Sequence, residues 1–166
     1  MQNVTITLNV AEIVYDIQNK TYLTGKSRSD GTNHAHVAAM QANDDDENAN
    51  QILRSVQTAF GMLRTKLSEY LDISVHSAGN QLMKTGGKLE LALLMPSNYN
   101  LSTADTIATA AHQYIVALAV KDWFTITHKT DATEYASIAE SSLAIIAEAV
   151  SKRLRPRREE SENASL

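Results

Sequence analysis

The stretch "NLSTADTIATAAHQYIVALAVKDWF", residues 100–124, decides the fold class. Ile107, Ala111, Tyr114, Ile115 and Leu118 recur at threes and fours, the spacing of one helical face. Ala108, Ala110, Ala117 and Ala119 widen that face, so this helix is expected to be buried on more than one side. Asn100 or Ser102 stands where a side chain caps the first turn. A helix apolar over so much of its circumference needs cover from several neighbours, and the flanking sequence supplies candidates.

On the C-terminal side, "TITHKT" breaks the period and Thr130-Asp131 reads as the cap of another helix through "ATEYASIAESSLAIIAEAVSKRL". Tyr135, Ile138, Leu143, Ile146 and Val150 are expected to face inward, and Pro156 stops the helix. On the N-terminal side lies "NDDDENANQILRSVQTAFGMLRTKLSEYL", where Ala49, Ile52, Leu53, Val56, Phe60, Leu63, Leu67 and Tyr70 mark one face. About 28 residues of helix would span roughly 40 Å, longer than a domain of this size needs for its own core. The acids Asp44, Asp45, Asp46 and Glu47 stand where they oppose the positive end of the helix dipole.

Two regions carry a period of two. "VTITL" alternates Val4, Ile6 and Leu8; further on, Ile73 and Val75, then Leu89, Leu91 and Leu93, alternate with polar or small residues. Gly79-Asn80 and Gly86-Gly87 are turn signals, so a hairpin is expected over about 72–96, with the first strand able to join it. Asn9 followed by Glu12 reads as a capping box for a helix carrying Ile13, Val14 and Ile17. Residues 24–43 read as a long polar connection with one helical turn around "HVAAMQ", a length that usually signals function, an interface or mobility. The expected architecture is mainly α: three or four long helices in a bundle with a small antiparallel β-hairpin or sheet. Residues 1–154 form one domain, and 155–166 a C-terminal arm.

Composition narrows the class. The chain has 166 residues, 43% apolar and 20% charged, enough for one domain with a real core. With aromatics at 5%, that core must be built from Leu, Ile, Val and Ala. No cysteine is present, which removes disulfides and thiolate ligands. "MQNVTITLNV" lacks a basic segment leading into a long apolar one, so no secretory signal is expected. Apolar runs are too short for a membrane span. Net charge is −4, unevenly spread: residues 1–151 hold ten basic against sixteen acidic side chains, residues 152–166 five against three.

No catalytic constellation emerges. His34-Ala35-His36 would place two imidazoles on one side of a strand, but no third ligand accompanies them, so no metal or cofactor is expected. Asp122 and His128 could bracket a nucleophile among Thr125, Thr127 and Thr130; capping accounts for Thr130 and Asp131 equally well. Gly86-Gly87-Lys88 lacks the earlier glycine and following hydroxyl of a phosphate loop. The acid run 44–47 lacks the ligand spacing of a calcium loop. Lys152, Arg153, Arg155, Arg157 and Arg158 lie within seven residues. They suit an acidic protein surface or nucleic-acid phosphates, although "EESE" follows at once and no aromatics are interleaved. Trp123 and Phe124 point about 100° apart on a helix, and Trp123, with Tyr135, is expected to fill the elbow between two helices.

The back half, "AHQYIVALAVKDWFTITHKTDATEYASIAESSLAIIAEAVSKRLRPRR", runs helix, D-W-F elbow, helix with an early tyrosine, then R-x-R-P-R-R. Over residues 44–166 it resembles the helical core and C-terminal arm of head–tail connector proteins of tailed bacteriophages, small adaptors that form a ring beneath the portal. The resemblance implies a non-enzymatic virion structural protein, made in the host cytoplasm. Its partners would be copies of itself in a ring, a dodecamer in that family, and the portal or neighbouring neck and tail proteins. Residues 152–166 would be the docking arm, "LELALLM" part of a subunit contact, and DNA would pass through the lumen without sequence-specific binding. The N-terminal strand, the 24–43 connection and the central hairpin depart from the simplest adaptors and leave adaptor, later neck ring and other virion component open. Two alternatives stand beside it. One is a stand-alone helical binding module or regulator that contacts nucleic acid through the basic segment. The other is an enzyme with a pocket between the hairpin and the long helices.

Overall fold

A computed structural model describes residues 1–75 and 78–156. The element order is β1 (Gln2–Asn9), α1 (Val10–Ser27), α2 (His34–Met40), α3 (Asp46–Lys66), β2 (Lys88–Met95), α4 (Ala104–Thr127) and α5 (Lys129–Ser151), with single 3-10 turns at Ser68–Tyr70, Ile73–Val75 and Leu101–Thr103. The protein is mainly helical with a small antiparallel sheet, as its periodicities indicate.

The sheet is not a hairpin. β2 pairs with β1, antiparallel, in a register that sets Val4 against Leu93, Ile6 against Leu91 and Leu8 against Leu89. Both strands bury alternate residues on one face: Val4, Ile6 and Leu8 from β1, Leu89, Leu91, Leu93 and Met95 from β2. A one-residue slip would turn either set to solvent, so burial alone holds the register. Residues 73–75 form no strand. Asp72 Oδ1 accepts from the Ser74 backbone N–H (3.0 Å), an Asx turn that curls the chain, and Ile73 is 86% and Val75 61% exposed. Two alternating residues had too little core to reward extension. Leu71 and Asp72 instead touch the outer edge of β2, Asp72 donating its N–H to Ala92 O (2.9 Å).

β1 runs into α1 without a loop, and this overrides the expected capping box. Asn9 stays extended and makes no side-chain cap bond. The Val10 N–H is satisfied from the sheet side by Gly87 O (3.1 Å). Gly87 is tightly placed there: its own N–H bonds Lys84 O (2.9 Å), and a Cβ would stand 3.0 Å from that oxygen. Asn100 caps the 3-10 turn Leu101–Thr103 that leads into α4, accepting from Ser102 N, while Thr103 at the N-cap of α4 itself makes no side-chain cap bond.

α4 is the centre of the fold. Ile107, Ala110, Ala111, Tyr114, Ile115, Val116, Ala117, Ala119, Val120, Trp123 and Phe124 are all buried, which covers most of its circumference. α5 packs most extensively against it, and α3, α1 and β1 also contact it. Burial pushes the Tyr114 hydroxyl above its ordinary pKa, with nearby Glu140 adding to the shift. α3 buries Ile52, Leu53, Val56, Ala59 and Leu63 but stops at Lys66; its 21 residues span about 32 Å, shorter than its sequence pattern suggests. The buried face of α5 is also shifted. Ile146 and Val150 are buried, Tyr135 and Leu143 half-buried, and Ile138 exposed; Ala132, Ala139, Ser142 and Ala149 complete the face. Small side chains let α5 lie close to α4, and the larger Ile138 is left outside.

Because Leu91 lies in the β1–β2 core and Ile73 does not, Leu91→Ala should cost about 2–5 kcal/mol. Ile73→Ala should stay within about 0.5 kcal/mol. Urea denaturation of both variants checks this; equal losses would contradict the pairing.

Candidate functional site

The stretch that joins α4 to α5 is far tighter than a loop. α4 runs to Thr127, His128 is the one non-helical residue, and α5 begins at Lys129. Asp131 therefore falls in the first turn of α5 and does not cap it. Its side chain is wholly buried and accepts from the Arg28 guanidinium at the end of α1. His128 Nδ1 stands 2.9 Å from the other oxygen, within ion-pair reach but off the line of a hydrogen bond. The His128 ring meets that of His36 on α2, centroids 5.5 Å apart. The hydrogen bond that Arg28 donates to Asp131, and the charge of that carboxylate, raise the Arg28 pKa above its ordinary value.

Around this buried carboxylate the predicted aromatic residues divide the work differently from the sequence expectation. Trp123 is buried, but its indole Nε1–H reaches α2 and donates to Met40 O (2.8 Å). Phe124, fully buried, fills the angle between α4 and α5 and meets the Tyr135 ring at 5.6 Å. The Tyr135 hydroxyl shares a hydrogen bond with Thr24 Oγ1 on α1 (2.9 Å). Buried Thr21 accepts from Ala42 N (3.1 Å), and Gly25 lies so close to Val37 O that a Cβ would stand 3.2 Å from it. The connection over 24–43, which its composition presents as open, is thus held at both ends by α1, α4 and α5. Within it Asp30 accepts from the Thr32 backbone and side chain and from Asn33 N, and the Thr32 backbone bond chiefly lowers its pKa.

His34 and His36 sit on a helix, two residues apart and so on opposite sides, not side by side as on a strand. Among the described residues no group of three His, Cys, Asp or Glu side chains could hold a metal ion, and no helix is long and apolar enough to cross a membrane. Asp122 pairs with Lys121 (3.3 Å), while Thr125 and Thr127 donate to helix carbonyls; Asp122 and His128 share no bond with them. The acid run serves local structure: Asp44 accepts from Gln18, Asp45 from Asn43, and Asp46 and Glu47 occupy the first turn of α3.

One polar groove went unread in the sequence. It has a volume of about 690 Å³ and lies where the end of β1 meets α1 and α4, lined by Glu12, Asp16, Lys20, Lys88, Thr109 and His112 among others. His112 Nε2 is bonded to Asp16 Oδ2 at 2.7 Å. The two residues stand 96 positions apart on different helices, and no local spacing announces the pair.

The basic cluster is partly absorbed into the fold. Asn100 N donates to Lys152 O (3.1 Å) and Leu154 N to Asn98 O (2.8 Å), so 152–154 run antiparallel beside 98–100, with Tyr99 paired to Arg153. Lys152 Nζ reaches Glu148 (2.7 Å), whose pKa it lowers chiefly through that hydrogen bond. Arg153 donates to the Val150 and Lys152 carbonyls at the end of α5, where a cation opposes the dipole. Arg155 is exposed; Arg157 and Arg158 lie outside the described residues.

No protein-family model, curated protein or solved structure matches the chain.

Two substitutions test the elbow. Trp123→Ala should cost about 3–5 kcal/mol, and Trp123→Phe about 1–3 kcal/mol, through the Met40 carbonyl left without its donor. Arg28→Met should destabilise more than Asp131→Asn, because it strands a buried carboxylate whereas Arg28, 44% exposed, can turn to water. Thermal unfolding of the set gives the order, and the reverse order would mean that Arg28 does not serve Asp131.

Proposed function

We propose that the protein is a non-enzymatic structural subunit of a tailed-phage virion, one copy in a ring of the head–tail neck, whose C-terminal arm docks to the portal or an adjacent ring. The observation that carries this reading is the base of the arm. A segment that grips another protein must leave its own fold from a fixed point, or the grip loses its leverage to chain entropy. Here Lys152–Leu154 are pinned to Asn98–Asn100 by backbone hydrogen bonds at 2.8 and 3.1 Å, and Arg155 and Pro156 follow directly. Leu154 and Leu101, both exposed, add apolar contact area at that base, so a partner there would meet cations and hydrocarbon together. The class of partner comes from the resemblance of the back half to the connector proteins. In a ring lumen the acid excess of residues 1–151 would let DNA pass without adhering.

The alternative, a regulator gripping nucleic acid, has less support. Lys152 is paired to Glu148 and Arg153 is turned to carbonyls, which leaves Arg155 as the described residue of the cluster free for phosphate.

Light scattering should find rings alone or upon mixing with portal assemblies of the same virion. Removing residues 155–166 should abolish co-sedimentation with the portal while leaving the unfolding midpoint unchanged. A chain that stays monomeric with portal present would overturn the reading. Salt-sensitive DNA binding lost on deleting 152–158 would establish the regulator instead.

A further inference from the structure

The two edges of the sheet are treated differently. In an antiparallel pair, residues bonded to the partner strand alternate with residues whose N–H and C=O both point away. The Val10 N–H bond to Gly87 O sets the phase, so Val4, Ile6 and Leu8 bond to β2, and Asn3, Thr5, Thr7 and the Asn9 N–H point outward. The bond from Asp72 N to Ala92 O, on the far side of β2, confirms the same phase. That far edge is guarded: Leu71 and Asp72 cover its middle, and its remaining outward residues include Lys88 and Glu90. Among the described residues the β1 edge has none of the usual guards, namely charge, proline, bulge or cover. Over Gln2–Asn9 it is regular and uncharged, and among the described residues no backbone bond reaches it outside the β1–β2 ladder and Val10.

We propose that this edge is a self-pairing surface: β1 of one copy adds antiparallel to β1 of a second copy, with Thr5 facing Thr5 across a two-fold axis. With Thr5 on the axis, Asn3 stands opposite Thr7 of the partner subunit and the reverse, and the outward Asn9 N–H stands opposite Met1 of the partner subunit, so the outward groups of the two strands meet one another. Self-pairing also requires that no charge sit near the axis, where it would meet its own copy. β1 meets that requirement and the β2 edge does not. The same register lays Met1 and Gln2 of the partner subunit over the Thr7–Asn9 end of the strand, which opens into the groove holding Asp16 and His112. A contact of one short strand a side is small against a standard interface, so the dimer is weak and dissociates on dilution. Such a contact closes on itself and stands apart from the ring reading.

The full chain is tested by sedimentation across concentration and by amide exchange. Dimers should form near millimolar concentration, with exchange at Asn3, Thr5 and Thr7 slowing about tenfold or more relative to dilute protein. Thr5→Pro removes only an outward N–H, and Thr5→Lys places like charges at the axis. Both should be monomeric, with the Val4, Ile6 and Leu8 amides still protected. A wild-type monomer at every concentration, or variants that dimerise like the wild type, would overturn the inference. Rings unaffected by Thr5→Pro would leave the neck reading intact, while dimers without rings would remove that reading alone.

Discussion

The fold depends on α4 having almost no side that water can touch. A 24-residue helix with Ile107, Tyr114, Ile115, Val120 and Phe124 buried around its circumference cannot be stable alone or against one neighbour. It must be covered by α5, α3, α1 and the sheet together, and each of those elements supplies one apolar face for the purpose. Alanine at 110, 111, 117 and 119 lets the backbones approach, and the sum of many small contacts replaces the large rings this chain lacks.

Around that apolar axis the polar groups act as ties between parts distant in sequence. Asp131 joins the start of α5 to the end of α1 through Arg28, Trp123 joins α4 to α2, and Thr24 joins α1 to Tyr135. They converge on the end where α4 turns into α5 through one residue. The 24–43 segment packs against this one-residue joint and is tied to it through Arg28 and Met40. The opposite end holds the other tie, where the chain after α5 pairs beside Tyr99 and Gln2 donates to Ser97 O (2.6 Å). The arm and the start of β1 therefore leave from one region, and both surfaces proposed for contact with other chains are organised from it.

Much was legible in the sequence because periodicity is a local record of burial. The helices of residues 46–66, 104–127 and 129–151, the strand over Val4–Leu8, the Asn100 cap and the burial of Trp123 all follow from side chains close together in the chain. What misled were local signals too short to outweigh core contacts. Ile73 and Val75 alternate like a strand but had no core to face, and Asn9 looks like a cap but was drawn into the β1–β2 ladder. Thr130-Asp131 also reads as a cap, because nothing nearby shows that Arg28, 103 residues away, would take the carboxylate.

By itself, then, the sequence determined the helical class, the apolar circumference of α4 and the absence of thiol chemistry. Each depends on residue type or on spacing within a few turns. Only the tertiary structure decided that β2 pairs with β1, that Trp123 serves α2 while Phe124 fills the elbow, and that His112 meets Asp16. It also decided which strand edge is left uncovered among the described residues. Those outcomes depend on which distant surfaces close over α4, since a register or an ion pair forms only once packing has brought its two halves within reach.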